Sequence, residues 1–120
     1  MAASDSAPED VVVTVRSQRE ERGLVLAVEG EVDMVSADQF RAALDEAVLE
    51  RPGVLVVDLT DIAFLGSVGL SLLLEANAAA GPGVLRVVAI DGPRRAFQLT
   101  GLDQVLTVID TVDGAFGVSR

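Results

Sequence analysis

Phe64-Leu65-Gly66-Ser67-Val68-Gly69-Leu70-Ser71-Leu72-Leu73-Leu74 decides how this chain folds. A hydroxyl stands between two glycines, after one apolar run and before another. Upstream, Val54-Leu55-Val56-Val57-Asp58-Leu59 is apolar without alternation until Asp58, the pattern of a strand covered on both faces. Thr60 to Gly66 reads as a connection. Ser67 to about Ala80 reads as a helix, stopped by Gly81-Pro82-Gly83. Val84 to Ile90 is a further strand. Strand, crossover helix and strand in this order form a right-handed parallel unit.

The chain extends outward from that unit in both directions. Toward the N-terminus, Val11 to Val15 is β-branched throughout and reads as a strand. Ser17 to Gly23 is charged and ends in glycine, a turn. Leu24 to Val28 is a second strand, so the two form an antiparallel hairpin. Glu29 to Asp33 then leaves the strand. Ser36-Ala37-Asp38-Gln39 has the form of a capping box. The helix it opens runs to about Leu49, with Phe40, Ala43, Leu44, Ala47 and Val48 on one apolar face, and Pro52-Gly53 ends it. Toward the C-terminus, Gly92-Pro93 opens a short helix carrying Ala96, Phe97 and Leu99, with Gly101 as its C-terminal cap. Val105 to Ile109 is a fifth strand, and Val112 to Val118 forms a last helical turn or two. Residues 1–10 read as a flexible leader and 11–118 as a single domain.

Composition narrows the chemistry. Half of the residues are hydrophobic but only 3% are aromatic, so the core is aliphatic. Nine arginines oppose 19 carboxylates, for a formal net charge of −10. Such a surface repels phosphate backbones and anionic membranes. Without cysteine or histidine the chain has no thiolate site and lacks the commonest general base. No run approaches the roughly 20 apolar residues of a membrane span, and the N-terminus lacks the basic and apolar regions of a secretory signal. A cytoplasmic location is expected.

Ser67 has no partner for catalysis. A serine nucleophile needs a base, and neither histidine nor lysine is present. The spacing of Gly66-Ser67-Val68-Gly69 fits neither a hydrolase elbow nor a phosphate-binding loop, and no carboxylate cluster has calcium-loop spacing. Two readings remain. Ser67 caps the helix that follows it. Alternatively, Gly66 and Gly69 leave the hydroxyl open to close approach by a partner. The helix is apolar on more than one side: Leu70, Leu73 and Leu74 suit the sheet, while Val68, Leu72 and Ala79 fall toward the flank.

Asp58-Leu59-Thr60-Asp61-Ile62-Ala63-Phe64-Leu65-Gly66-Ser67-Val68-Gly69-Leu70 resembles the core signature of STAS-domain anti-sigma factor antagonists, in which an apolar strand leads to Asp-Ser-Ser/Thr-Gly-Leu at a helix start. Gly30-Glu31-Val32-Asp33 is similar to the family's Gly-Glu-Leu/Ile-Asp, Ser36-Ala37 starts the first helix as in the family, and Arg95 to Leu102 resembles its late segment. The resemblance covers about residues 11–116. It implies an α/β fold of STAS type, with about five strands in a mixed sheet, an N-terminal antiparallel hairpin and three to four helices. It implies a non-catalytic role without metal or cofactor. The partner would be an anti-sigma factor with serine kinase activity, bound so as to release a sigma factor, with no direct contact to nucleic acid or membrane. That kinase would phosphorylate Ser67, and a metal-dependent serine phosphatase acting on phospho-Ser67 would reverse it. The implied partner-binding residues are Asp33, Asp61, Gly66, Ser67, Val68, Gly69, Ser71 and Leu72. Two signature positions depart from the pattern: Gly66 replaces the aspartate, and Val68 replaces the second hydroxyl. These departures leave a second reading, a non-phosphorylated STAS scaffold or subunit of another signalling or lipid-transport complex. A third is a small-ligand or nucleotide sensor, which the surrounding carboxylates oppose.

Overall fold

The computed structural model describes residues 13–118. The expected leader, with Val11 and Val12, lies outside them. The elements are β1 (Val13–Glu20), β2 (Gly23–Val32), α1 (Ala37–Leu49), β3 (Leu55–Leu65), α2 (Ser67–Ala80), β4 (Leu85–Val88), α3 (Asp91–Thr100), a 3-10 turn at Leu102–Gln104, β5 (Thr107–Ile109) and α4 (Val112–Phe116). One sheet holds the strands in the order β1-β2-β3-β4-β5. β1 is antiparallel to β2, and the other neighbours are parallel. This is the α/β architecture with an N-terminal hairpin that the sequence implies.

Several boundaries differ from the sequence expectation. β1 runs on through Ser17-Gln18-Arg19, residues expected in the turn. They carry weak strand preference, but each pairs its backbone with β2, and their side chains stay in water at the sheet edge. The turn shrinks to Glu21-Arg22, closed by Gly23 at φ 152°. A Cβ on Gly23 would stand 2.3 Å from the Val54 carbonyl oxygen, so backbone approach and conformation both require glycine there. Ladder pairing likewise trims the strand expected at Val84–Ile90 to Leu85–Val88, and the one at Val105–Ile109 to Thr107–Ile109.

The largest difference is in β2 and β3. Both continue past their expected ends, to Val32 and Leu65. Twice β3 inserts an extra residue against β2, once between the Ala27 and Glu29 positions and once between Gly30 and Glu31. The core-facing residues of β3 are therefore Leu55, Val57 and Leu59, then Ile62 and Leu65. Strict alternation would have buried Asp61 and Ala63 instead. The bulges bring Ile62 inside, keep Leu65 there, and turn Asp61 and Ala63 outward, with Phe64 exposed beside them.

Helices α1, α2 and α3 cover one face of the sheet. Phe40, Leu44 and Ala47 of α1, Leu70, Leu73 and Ala76 of α2 and Phe97 of α3 join Leu24, Leu26, Leu55, Val57 and Val87 in the main core. The other face is only partly covered. Val25, Val56 and Val88 meet Ala115 of α4, while Asp58 and Thr60 bond to each other near the solvent. The strand expected to be covered on both faces is so covered over Leu55, Val56 and Val57, and beyond them on the helix-packed face alone. Arg86, buried in β4, fastens the thin side by donating to the carbonyls of Gly83, Ala115 (2.8 Å) and Val118.

Candidate functional site

The parallel strands β2 and β3 end side by side, and each feeds a helix. The carboxyl ends of these strands and the N-terminal ends of α1 and α2 therefore share one edge of the sheet. The Gly66 N–H donates to the Val32 carbonyl at 2.8 Å, so the start of α2 is tied to the end of β2.

Gly66, not Ser67, is the N-cap of α2, with φ −80° and ψ 175°. Ser67 is the first helical residue, and its side chain is exposed. The capping role expected of Ser67 is therefore not what the fold uses. Tying Gly66 to Val32 places the turn into the helix one residue earlier. The Gly69 and Leu70 amides both donate to the Gly66 carbonyl, at 3.0 and 3.3 Å. The amides of Ser67 and Val68 precede those bonds and have no intrahelical acceptor. The exposed Ser67 and two amides without intrahelical acceptors thus lie at the positive end of the helix dipole.

The loop after β2 forms the second wall. Ser36 is buried, and its hydroxyl donates to the Glu31 carbonyl (2.8 Å) and accepts from the Asp33 N–H (3.0 Å). Asp33 Oδ1 accepts from the Val35 N–H (2.9 Å) and the Ser36 N–H (3.2 Å). The capping box expected at Ser36 does not form, because this loop occupies its hydroxyl. The loop lifts Met34 and Val35 into solvent, at 87% and 83% relative exposure. Phe64, at 52%, lies on the other side, its ring against Gly66 and a cleft of about 290 Å³ shared with Leu65, Gly92, Pro93 and Ala96.

The expected partner-binding residues divide. Asp33, Gly66, Ser67, Val68 and Ser71 cluster at this edge, with Ser71 exposed one turn beyond Ser67. Asp61 is exposed but stands level with Glu29, three ladder positions, or about 10 Å, back from Val32. Leu72, only 3% exposed, and Gly69 face inward, which corrects their expected place at a partner surface. Gly69 is small because α2 rides close over β2 and β3: a Cβ there would stand 2.5 Å from Leu65 Cδ1 and 2.9 Å from Val32 Cγ1. Met34, Val35 and Phe64 are the residues the sequence reading missed. Their signal was apolar side chains that fit neither the helix period nor the strand alternation.

Among the described residues no group of three carboxylates is placed to hold a metal ion, and no helix is long and apolar enough to cross a membrane.

The family model described as Mlab, STAS domain matches residues 15–109. The anti-sigma-F factor antagonist RsfB of Mycobacterium tuberculosis H37Rv is 36% identical over 113 residues, covering 92% of this chain and 90% of that protein. A crystal structure of an anti-sigma factor antagonist from Mycobacterium paratuberculosis superposes with a TM-score of 0.84 at 35% identity, covering 90% of this chain and 93% of the other. The Bacillus protein SpoIIAA shares the fold, with a TM-score of 0.66 at 20% identity over 89% of this chain and 100% of its own.

Proposed function

From the premise that this chain belongs to the STAS-domain family, we propose that it is an anti-sigma factor antagonist, a cytoplasmic binding protein that captures an anti-sigma factor and so releases a sigma factor. The observation that carries the reading is Ser67, exposed on the first turn of α2 at the edge where the apolar side chains Met34, Val35 and Phe64 also emerge. The 36% identity to an anti-sigma-F factor antagonist supports the partner class.

The finer proposal is a phosphorylation switch. The anti-sigma factor is itself a serine kinase, Ser67 is its acceptor, and a metal-dependent serine phosphatase restores the hydroxyl. Phosphate adds about −1.5 to −2 charges. At Ser67 the free amides of α2 and the helix dipole favour that charge, so the fold tolerates it. The interface does not, because the dianion would have to be desolvated between apolar side chains. A loss of about 3 kcal/mol weakens binding by roughly a hundredfold. Release then follows from the interface alone, without unfolding.

The test is a pull-down from the source cell with wild type, Ser67→Ala and Ser67→Asp, followed by incubation of the recovered anti-sigma factor with ATP and mass spectrometry of the chain. Binding by wild type and Ser67→Ala, loss with Ser67→Asp, and phosphate at Ser67 are expected. Equal binding by all three, with Ser67 unmodified, refutes the switch. That outcome favours the second reading, a constitutive scaffold, which Gly66 and Val68 motivate: Gly66 offers the serine no side chain and leaves the Phe64 ring beside it, and Val68 supplies no second hydroxyl.

A further inference from the structure

We infer that Met34 and Val35 are the apolar anchors that enter a pocket of the anti-sigma factor, and that Asp33 positions them rather than touching the partner. The inference rests on the antagonist reading. Of the large apolar side chains described, these two are the most exposed, and they are adjacent. Water-facing methyl and thioether groups gain most when a partner covers them. The loop that carries them is already ordered. Asp33 Oδ1 holds the Val35 and Ser36 amides, and the Ser36 hydroxyl holds Asp33 and Glu31. A pre-ordered anchor loses little conformational freedom on binding.

The surroundings select the occupant. The anchors follow directly from Val32, whose carbonyl binds Gly66 beside Ser67, so they are continuous with the proposed switch surface. Glu31 and Asp38 flank them, exposed and outside the ion pairs among the described residues. An anionic lipid surface would meet those charges unfavourably. A two-fold contact with a second copy would set each carboxylate near its own counterpart. A pocket on a different protein avoids both penalties.

The experiment is calorimetric titration of the full chain with the anti-sigma factor recovered by wild type. Met34→Ala combined with Val35→Ala should weaken binding ten- to a hundredfold with an unchanged melting temperature. Asp33→Ala should weaken it about tenfold, and Asp33→Asn, which keeps Oδ1 as an acceptor but removes the charge, should restore most of that loss. If wild type binds and the double alanine variant binds as tightly, the anchors are refuted while the antagonist reading stands. If wild type recovers no anti-sigma factor, both fall. Asp33→Asn as weak as Asp33→Ala would make Asp33 a direct charged contact and overturn its positioning role. Sedimentation of the chain alone, and flotation with phosphatidylglycerol vesicles, should show a monomer and no lipid binding. Self-association or vesicle binding lost in the double variant would replace the proposed occupant.

Discussion

Replacing Gly69 by alanine tests how the Ser67 helix is seated. The backbone at this position is ordinary helix, so alanine carries no conformational strain, and an interior helical alanine is favoured over glycine by about 1 kcal/mol. Packing opposes it. The new methyl carbon would stand 2.5 Å from Leu65 Cδ1 and 2.9 Å from Val32 Cγ1, where about 3.5–4.0 Å is comfortable. Both neighbours are buried, and Val32 is β-branched, with little rotamer freedom. Either α2 lifts from the sheet or the two side chains leave their wells, at about 1–3 kcal/mol. The net expectation is a loss of up to about 2 kcal/mol, or a fall in melting temperature of up to roughly 9 °C for a domain of this size. Calorimetric melting of Gly69→Ala beside Gly92→Ala, a position with open space around it, measures the difference. The lifted helix also carries Ser67 with it, so binding to the anti-sigma factor should weaken as well. A Gly69→Ala protein that melts above wild type, with the full gain of about 1 kcal/mol that alanine brings to an unobstructed helix, would refute the close seating of α2, and Gly69 would revert to a residue kept small for access.

Three further substitutions probe the same frame. Ser67→Ala should leave the melting temperature unchanged or slightly higher, because Gly66 is the cap; a loss of about 1 kcal/mol, the usual cost of deleting a serine cap, would restore the capping role. Ser36→Ala removes the buried hydroxyl that joins Glu31 to Asp33, and should cost about 1–3 kcal/mol and raise amide exchange from Asp33 to Ala37; chemical denaturation with hydrogen-exchange mass spectrometry would reveal both. Arg86→Met leaves the Gly83, Ala115 and Val118 carbonyls without their charged donor, so α4 should lose exchange protection well before the main core does, in a protein destabilised by about 2–4 kcal/mol. Uniform exchange across α4 and β3 in that variant would show that the arginine does not hold α4.

Much of the fold was legible because local rules and global packing agree. α2 begins and ends where Ser67 and Gly81 predict, and the 3.6-residue period of α1 buries Phe40, Leu44 and Ala47 as read. Disagreement came where the backbone had partners invisible to local reading. Ser17 to Arg19 became strand because β2 offered a ladder. The Ser36 hydroxyl turned from its own helix to Glu31 and Asp33 because the loop closes around it.

The sequence by itself determined the order of strands and helices, the aliphatic core, the absence of histidine, lysine and cysteine chemistry, and the single hydroxyl between two glycines at the start of a helix. Those features depend on residue type and short-range period. Tertiary structure alone decided what that hydroxyl and its neighbours face. Two bulges in β3 turn Asp61 outward and Ile62 inward, the seating of α2 turns Gly69 and Leu72 inward, and the Asp33 loop raises Met34 and Val35 beside Ser67. The physical reason is that each outcome depends on strand register and on contacts between segments distant in the chain, which no local pattern encodes.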